Sequence, residues 1–219
     1  GAGYLAMSLA TWLEVGTDRF VQVGFTGIQL ADRRYVQGET EVRLVGMMHL
    51  GEDATYRALS ASFVSEDTIV LEEGVSDDDQ VLEGTLSYER LAHALGLETQ
   101  QSISSYLFLN RENGAAGDWP VVRNADVDAR VFSSETVEYL ALAAQVWSSD
   151  QPMTAFIELY RHALEHPEIA EAFLYDIIEL RNRHLWVEIE TALPLYRRVI
   201  VPWGALHLPE IERELVGSG

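Results

Sequence analysis

The stretch Thr68-Ile69-Val70-Leu71 restricts the fold most. It is a short, continuous apolar run closed by Glu72-Glu73-Gly74, the signature of a strand buried on both faces in a parallel sheet. Parallel strands need crossover helices, and the chain supplies them. Phe20 to Val23, Arg33 to Val36 and Glu41 to Val45 read as strands, with turns near Gly24 to Gly27 and at Gly38. Glu52 to Phe63 reads as a helix, with Tyr56, Leu59 and Phe63 about one turn apart. A helix from Tyr88 to Leu95 stops at Gly96, and Asn113-Gly114 and Gly117-Asp118 mark a long turn before a strand at Pro120 to Arg123. Ser133 or Ser134 caps the next helix; a helical pair over 152–166 and 168–193 breaks at Pro167; a last strand, Arg198 to Val201, precedes a closing helix from Leu208 to Val216. The alternation predicts an α/β fold: one domain over 1–219, with N-terminal strands or a hairpin over 1–40 and a core over 41–216. Its central sheet is expected to be mostly parallel and flanked by helices.

Composition narrows the chemistry. The chain contains no cysteine, so disulfides, thiolate metal sites and cysteine nucleophiles are excluded. All 15 basic residues are arginine, against 35 acidic ones, and a net charge of -20 repels nucleic acid and anionic membranes. No apolar run reaches the roughly 18 residues of a membrane span. The first residues lack a basic segment followed by a long apolar one, and also lack an initiator Met, so a targeting segment is expected upstream. Gly-x-x-x-x-Gly-Lys-Ser/Thr, Gly-x-Gly-x-x-Gly and Gly-x-Ser-x-Gly are all absent.

Chemistry-bearing residues collect where ligands bind in open α/β sheets, beyond the carboxyl ends of the strands. Gly46-Met47-Met48-His49-Leu50-Gly51-Glu52 and Gly204-Ala205-Leu206-His207-Leu208-Pro209-Glu210 both read Gly-x-x-His-Leu-x-Glu, each between a strand and an expected helix. A nearby helix N-terminus favours the neutral imidazole, which binds a metal or acts as a base, and the glycine permits close backbone approach. Glu72 and Glu73 alternate in direction, so one of them faces a given pocket. Asp126 closes a further strand. On the late helix, Ile177, Ile178 and Leu185 surround Arg181 with apolar side chains, so its guanidinium requires an anion such as Glu73 or a substrate group. Asn182 adjoins it, placed to position a water or a carbonyl. His162-Ala163-Leu164-Glu165-His166 spells His-x-x-Glu-His, a pattern of some zinc peptidases, but His162 and Glu165 are expected on the wet side of their helix.

Gly46-Met47-Met48-His49, Leu71-Glu72-Glu73-Gly74-Val75, Arg181-Asn182 and Pro202-Trp203-Gly204-Ala205-Leu206-His207 together resemble the TraB/TIKI (TraB/GumN) superfamily, with more distant similarity to erythromycin esterases and ChaN-type proteins. The similarity runs over roughly residues 40–215 and includes Ala125-Asp126-Val127-Asp128. It implies a metal-dependent hydrolase of peptide or amide bonds. His49, His207 and Glu73, with Asp126, would hold a divalent Mn, Co, Zn or Fe ion, and Arg181 or Asn182 would stabilise the oxyanion. The family glutamate precedes a small residue, which favours Glu73 over Glu72. Relatives often carry a signal sequence or anchor, implying a secreted, periplasmic or membrane-anchored parent protein. The substrate would be a peptide or a small molecule. Two other readings stay open: an esterase-like hydrolase that needs no metal, with a histidine as base, and a binding protein that holds a peptide or haem without turnover.

Overall fold

The structure is a computed structural model, and it describes residues 11–218 except 12, 25–26, 49, 52, 83–97, 100–102, 113–116 and 149–151. The expected helix at Tyr88 to Leu95 and the side chain of His49 lie outside the described residues.

Nine strands are described: β1 (Val21–Gly24), β2 (Gly27–Leu30), β3 (Asp32–Gln37), β4 (Thr40–Met47), β5 (Leu50–Gly51), β6 (Thr68–Glu72), β7 (Glu98–Thr99), β8 (Val121–Asn124) and β9 (Arg198–Gly204). The main sheet is five-stranded, in the order β3-β4-β9-β6-β8. β4, β9, β6 and β8 run parallel, and β3 closes one edge antiparallel to β4. The fold is therefore α/β with a mostly parallel sheet flanked by helices. β1 and β2 form a separate antiparallel hairpin, whereas β3 joins the main sheet, so the N-terminal strands divide between two sheets. β5 pairs with β7 in an unexpected short antiparallel ladder.

Seven α-helices are described: α1 (Asp53–Ala61), α2 (Ile103–Glu112), α3 (Ser134–Ser148), α4 (Pro152–Glu165), α5 (Pro167–Leu174), α6 (Arg181–Ala192) and α7 (Leu208–Ser218). The sequence reading had no element at α2, although Ile103, Tyr106 and Leu107, all buried, keep the i, i+3, i+4 spacing of an apolar helix face. Ser133 is the cap expected for α3, its hydroxyl accepting from Thr136 N at 3.3 Å.

Strand alternation builds two cores. Val42, Leu44, Ile69, Leu71, Val199, Val201 and Trp203 face Leu185 and Ile189 of α6 and Leu208 and Ile211 of α7. Val45, Met47, Val70 and Ile200 face the other way, onto Tyr56 and Phe63 and onto Ile103 and Tyr106 of α2. Each fully buried aliphatic or aromatic side chain contributes about 1.5–3 kcal/mol. The charged exception on β4, Arg43, is 5% exposed and donates from Nε and Nη2 to both oxygens of Asp32, at 2.8 and 2.6 Å. That fork offsets the cost of its burial.

Residues 168–193 are not one uniform α-helix. Between α5 and α6 the backbone opens into a π-helical stretch, Tyr175–Leu180, running directly into Arg181. Its Asp176 is buried and accepts from Ser133 N and from Ser133 Oγ, both at 2.7 Å. The π-turns are thus tied to the start of α3, and wide turns of this kind often occur at functional sites.

Candidate functional site

The carboxyl ends of β4, β9, β6 and β8 form one rim, because these four strands are parallel neighbours. Past the rim the chains leaving β6 and β8 continue side by side. Ala125 N donates to Glu72 O at 3.0 Å, Asn124 Nδ2 to Gly74 O at 2.7 Å, and Ser76 Oγ to Asp128 Oδ2 at 2.9 Å. This zipper brings Glu73 and Asp126 together.

Both carboxylates converge on Arg181. Its Nε donates to Asp126 Oδ1 at 2.9 Å, and its Nη2 donates to Asp126 Oδ2 at 2.6 Å and to Glu73 Oε1 at 2.7 Å. Nη1 makes the longer contacts, 3.3 Å to His207 Nε2 and 3.5 Å to Ile177 O. Burial by itself disfavours the guanidinium's charge, but the hydrogen bonds and charges of Asp126 and Glu73 outweigh it and hold the pKa above the ordinary arginine value. The anion that the apolar surroundings of Arg181 required is therefore a pair of carboxylates.

The remaining bonds complete the cluster. Asp126 also accepts from Gly74 N at 3.0 Å and Val127 N at 2.8 Å, and Glu73 Oε2 accepts from Gly204 N at 2.6 Å. A Cβ on Gly204 would lie 3.3 Å from Glu73 Oε2, so this glycine serves close approach of the carboxylate. Gly46 has a similar role against backbone, since its Cβ would meet Phe20 O at 3.2 Å. His207 is 4% exposed, stands edge-on to Trp203 with ring centroids 5.3 Å apart, and shares a 2.7 Å hydrogen bond between Nδ1 and Asn182 Oδ1. Asn182 Nδ2 donates to Glu210 Oε2 at 2.6 Å. Glu210 is the member that sequence reasoning missed. Its signal was its place in the repeated Gly-x-x-His-Leu-x-Glu pattern.

Glu73, Arg181 and His207 line the floor of a cavity of about 420 Å³ whose walls are largely apolar, among them Leu13, Val21, Met47, Leu140, Phe173 and Ile177. A pocket of this size with few convergent polar groups suits a small ligand or one substituent of a larger one.

One expected participant sits elsewhere, and another, His49, lies outside the described residues. Glu72 points to the opposite face, where its oxygens accept from Ser104 N and Ser104 Oγ, each at 3.0 Å, at the start of α2. It caps a helix and does not join the cluster. His162 is less wet than expected: its ring lies 4.7 Å from that of His166, and its Nε2 is buried with no hydrogen-bond partner among the described residues. His49 follows β4 by two residues; next to it, Met48 O accepts from the Tyr56 hydroxyl at 2.6 Å, and burial with a contribution from Tyr106 pushes that phenol up to about 12.

The expected metal ligands can be tested against this arrangement. Both oxygens of Asp126 each accept from a backbone N–H and from Arg181, Glu73 is divided between Arg181 and Gly204, and the one lone pair of His207 Nε2 faces Arg181 Nη1. A divalent ion here would have to displace the guanidinium or lie against its positive charge. Arranged in this way, Glu73, Asp126 and His207 do not fit a metal; they fit an arginine. Comparison with protein-family models, curated proteins and solved structures returned no match.

Proposed function

We propose that this chain is a hydrolase acting on an ester or amide whose carbonyl carries a neutral, apolar substituent, with His207 as general base. The observation that carries the reading is the meeting of His207, Glu73 and Arg181 at the floor of an otherwise apolar cavity. The resemblance to TraB/TIKI sequences implies hydrolysis by a metal-dependent route, and the more distant similarity to erythromycin esterases implies the metal-free route taken here.

His207 Nε2 and Glu73 Oε1 are 3.8 Å apart, so one water can hydrogen-bond to both once it replaces Arg181 Nη1 at the Nε2 lone pair. The imidazole takes a proton from that water as its oxygen attacks the carbonyl carbon. Negative charge then develops on the carbonyl oxygen. Nη1 bonds to neither carboxylate; without leaving the rigid guanidinium plane it can donate to that oxygen in exchange for its longer contacts, while Nε and Nη2 stay on the carboxylates. When the tetrahedral species collapses, the imidazolium returns its proton to the departing oxygen or nitrogen. Two carboxylates against one guanidinium leave the cluster negative, which disfavours an anionic substituent and favours a neutral one.

The test is hydrolysis of neutral chromogenic esters of increasing acyl length, before and after exhaustive chelation. Activity is expected to survive chelation, to rise with acyl length, and to fall at least about 100-fold in His207→Gln and Glu73→Gln, as loss of a general base predicts. Activity lost to chelation and restored by one divalent cation would replace this mechanism with a metal-dependent one. Saturable binding of the esters without product would make the chain a binding protein.

A further inference from the structure

The arrangement beyond His207 adds a residue to the site, and its catalytic consequence rests on the reading just given. Asn182 is 2% exposed, and its amide lies between the histidine ring and a carboxylate. The Glu210 carboxylate offers acceptors alone, so the group 2.6 Å from its Oε2 is the amide's NH2. That leaves Oδ1 facing the ring at 2.7 Å, where it requires a proton on His207 Nδ1. A flipped amide would set oxygen against carboxylate at one end and NH2 against the ring nitrogen at the other. On the far side of the ring, Arg181 Nη1 donates at 3.3 Å and requires Nε2 to be unprotonated.

We propose that Glu210 is a positioning residue: acting through the Asn182 amide, it fixes His207 as the Nδ1–H tautomer with the Nε2 lone pair presented to the cavity. It touches no substrate and moves no proton. Its position at the first turn of α7, three residues after His207, lets one short segment carry both the base and the group that orients it.

Long-range proton–nitrogen NMR of histidine-labelled protein reads the tautomer directly, with no need for turnover. The wild type is expected to show His207 protonated at Nδ1. Glu210→Leu is expected to show a mixture of tautomers, together with a fall in kcat of about tenfold at unchanged KM, less than the roughly 100-fold or more that outright loss of the base costs. Glu210→Gln keeps an acceptor for Asn182 Nδ2 and is expected to restore both. Thermal unfolding of each variant separates these effects from loss of fold, and Asn182→Leu, which removes the amide altogether, is the second variant. A single Nδ1–H tautomer in both Glu210→Leu and Asn182→Leu would overturn the proposal by showing that Arg181 alone sets the ring. If the tautomer changes and no substrate is ever turned over, the positioning role stands and the hydrolase reading falls. If hydrolysis proceeds and the tautomer does not change, the reverse holds.

Discussion

Arg181 holds two buried carboxylates, and their dependence on it is asymmetric. Removing the cation leaves both charges in the interior, whereas the cation itself was costly to bury. Arg181→Met keeps an apolar stem of similar reach and is expected to cost about 3–5 kcal/mol of stability in denaturant unfolding. Arg181→Lys is expected to recover only part of that, because an ammonium cannot grip Asp126 with a two-pronged fork. A loss below about 1 kcal/mol in the Met variant would mean that the backbone N–H groups of Gly74, Val127 and Gly204 suffice to hold the carboxylates. The need for an anion was legible in the sequence, since Ile177, Ile178 and Leu185 surround Arg181 with apolar surface. Glu73 was a candidate from its strand end, but Asp126 as a second partner was not legible. Glu73 is 108 positions away and Asp126 is 55, so local sequence does not settle the pairing.

Two elements shape the site by where they begin. The π-helical stretch Tyr175–Leu180 shifts the phase of α6 relative to α5, and with it the direction in which α6 presents Arg181 and Asn182, both of which bond to His207. The sequence pattern gave no sign of the wider turn. α2 begins against β6, where Glu72 satisfies the Ser104 N–H, one of the donors that a helix start leaves without an internal partner. Glu72→Ala is expected to cost about 1 kcal/mol, as loss of a cap does. It is also expected to leave the His207 tautomer and any hydrolysis unchanged; an equal loss of both would place Glu72 in the site after all. The short periodic signal of Ile103, Tyr106 and Leu107 was there to be read, but its brevity hid it between two glycine-marked turns.

Across the whole molecule, a net charge of -20 on 219 residues makes self-repulsion a general cost of compaction. Raising NaCl from low concentration to about 0.5 M shortens the range of that repulsion and is expected to raise Tm; a flat or falling Tm would mean that local ion pairs such as Arg33–Glu212 dominate instead. Among the described residues no helix is long and apolar enough to cross a membrane. The sequence by itself determined the alternation of strand and helix, the two-faced burial of β6 and the position of His207, Glu73 and Asp126 each past the end of its own strand, because residue spacing encodes where elements lie and which face is apolar. Only the tertiary structure decided that β9, the last strand in the chain, inserts between β4 and β6. That insertion delivers Gly204 to Glu73, His207 to Arg181 and Glu210 to Asn182. Strand order is set by the summed packing of both sheet faces, and no local stretch of sequence contains that sum.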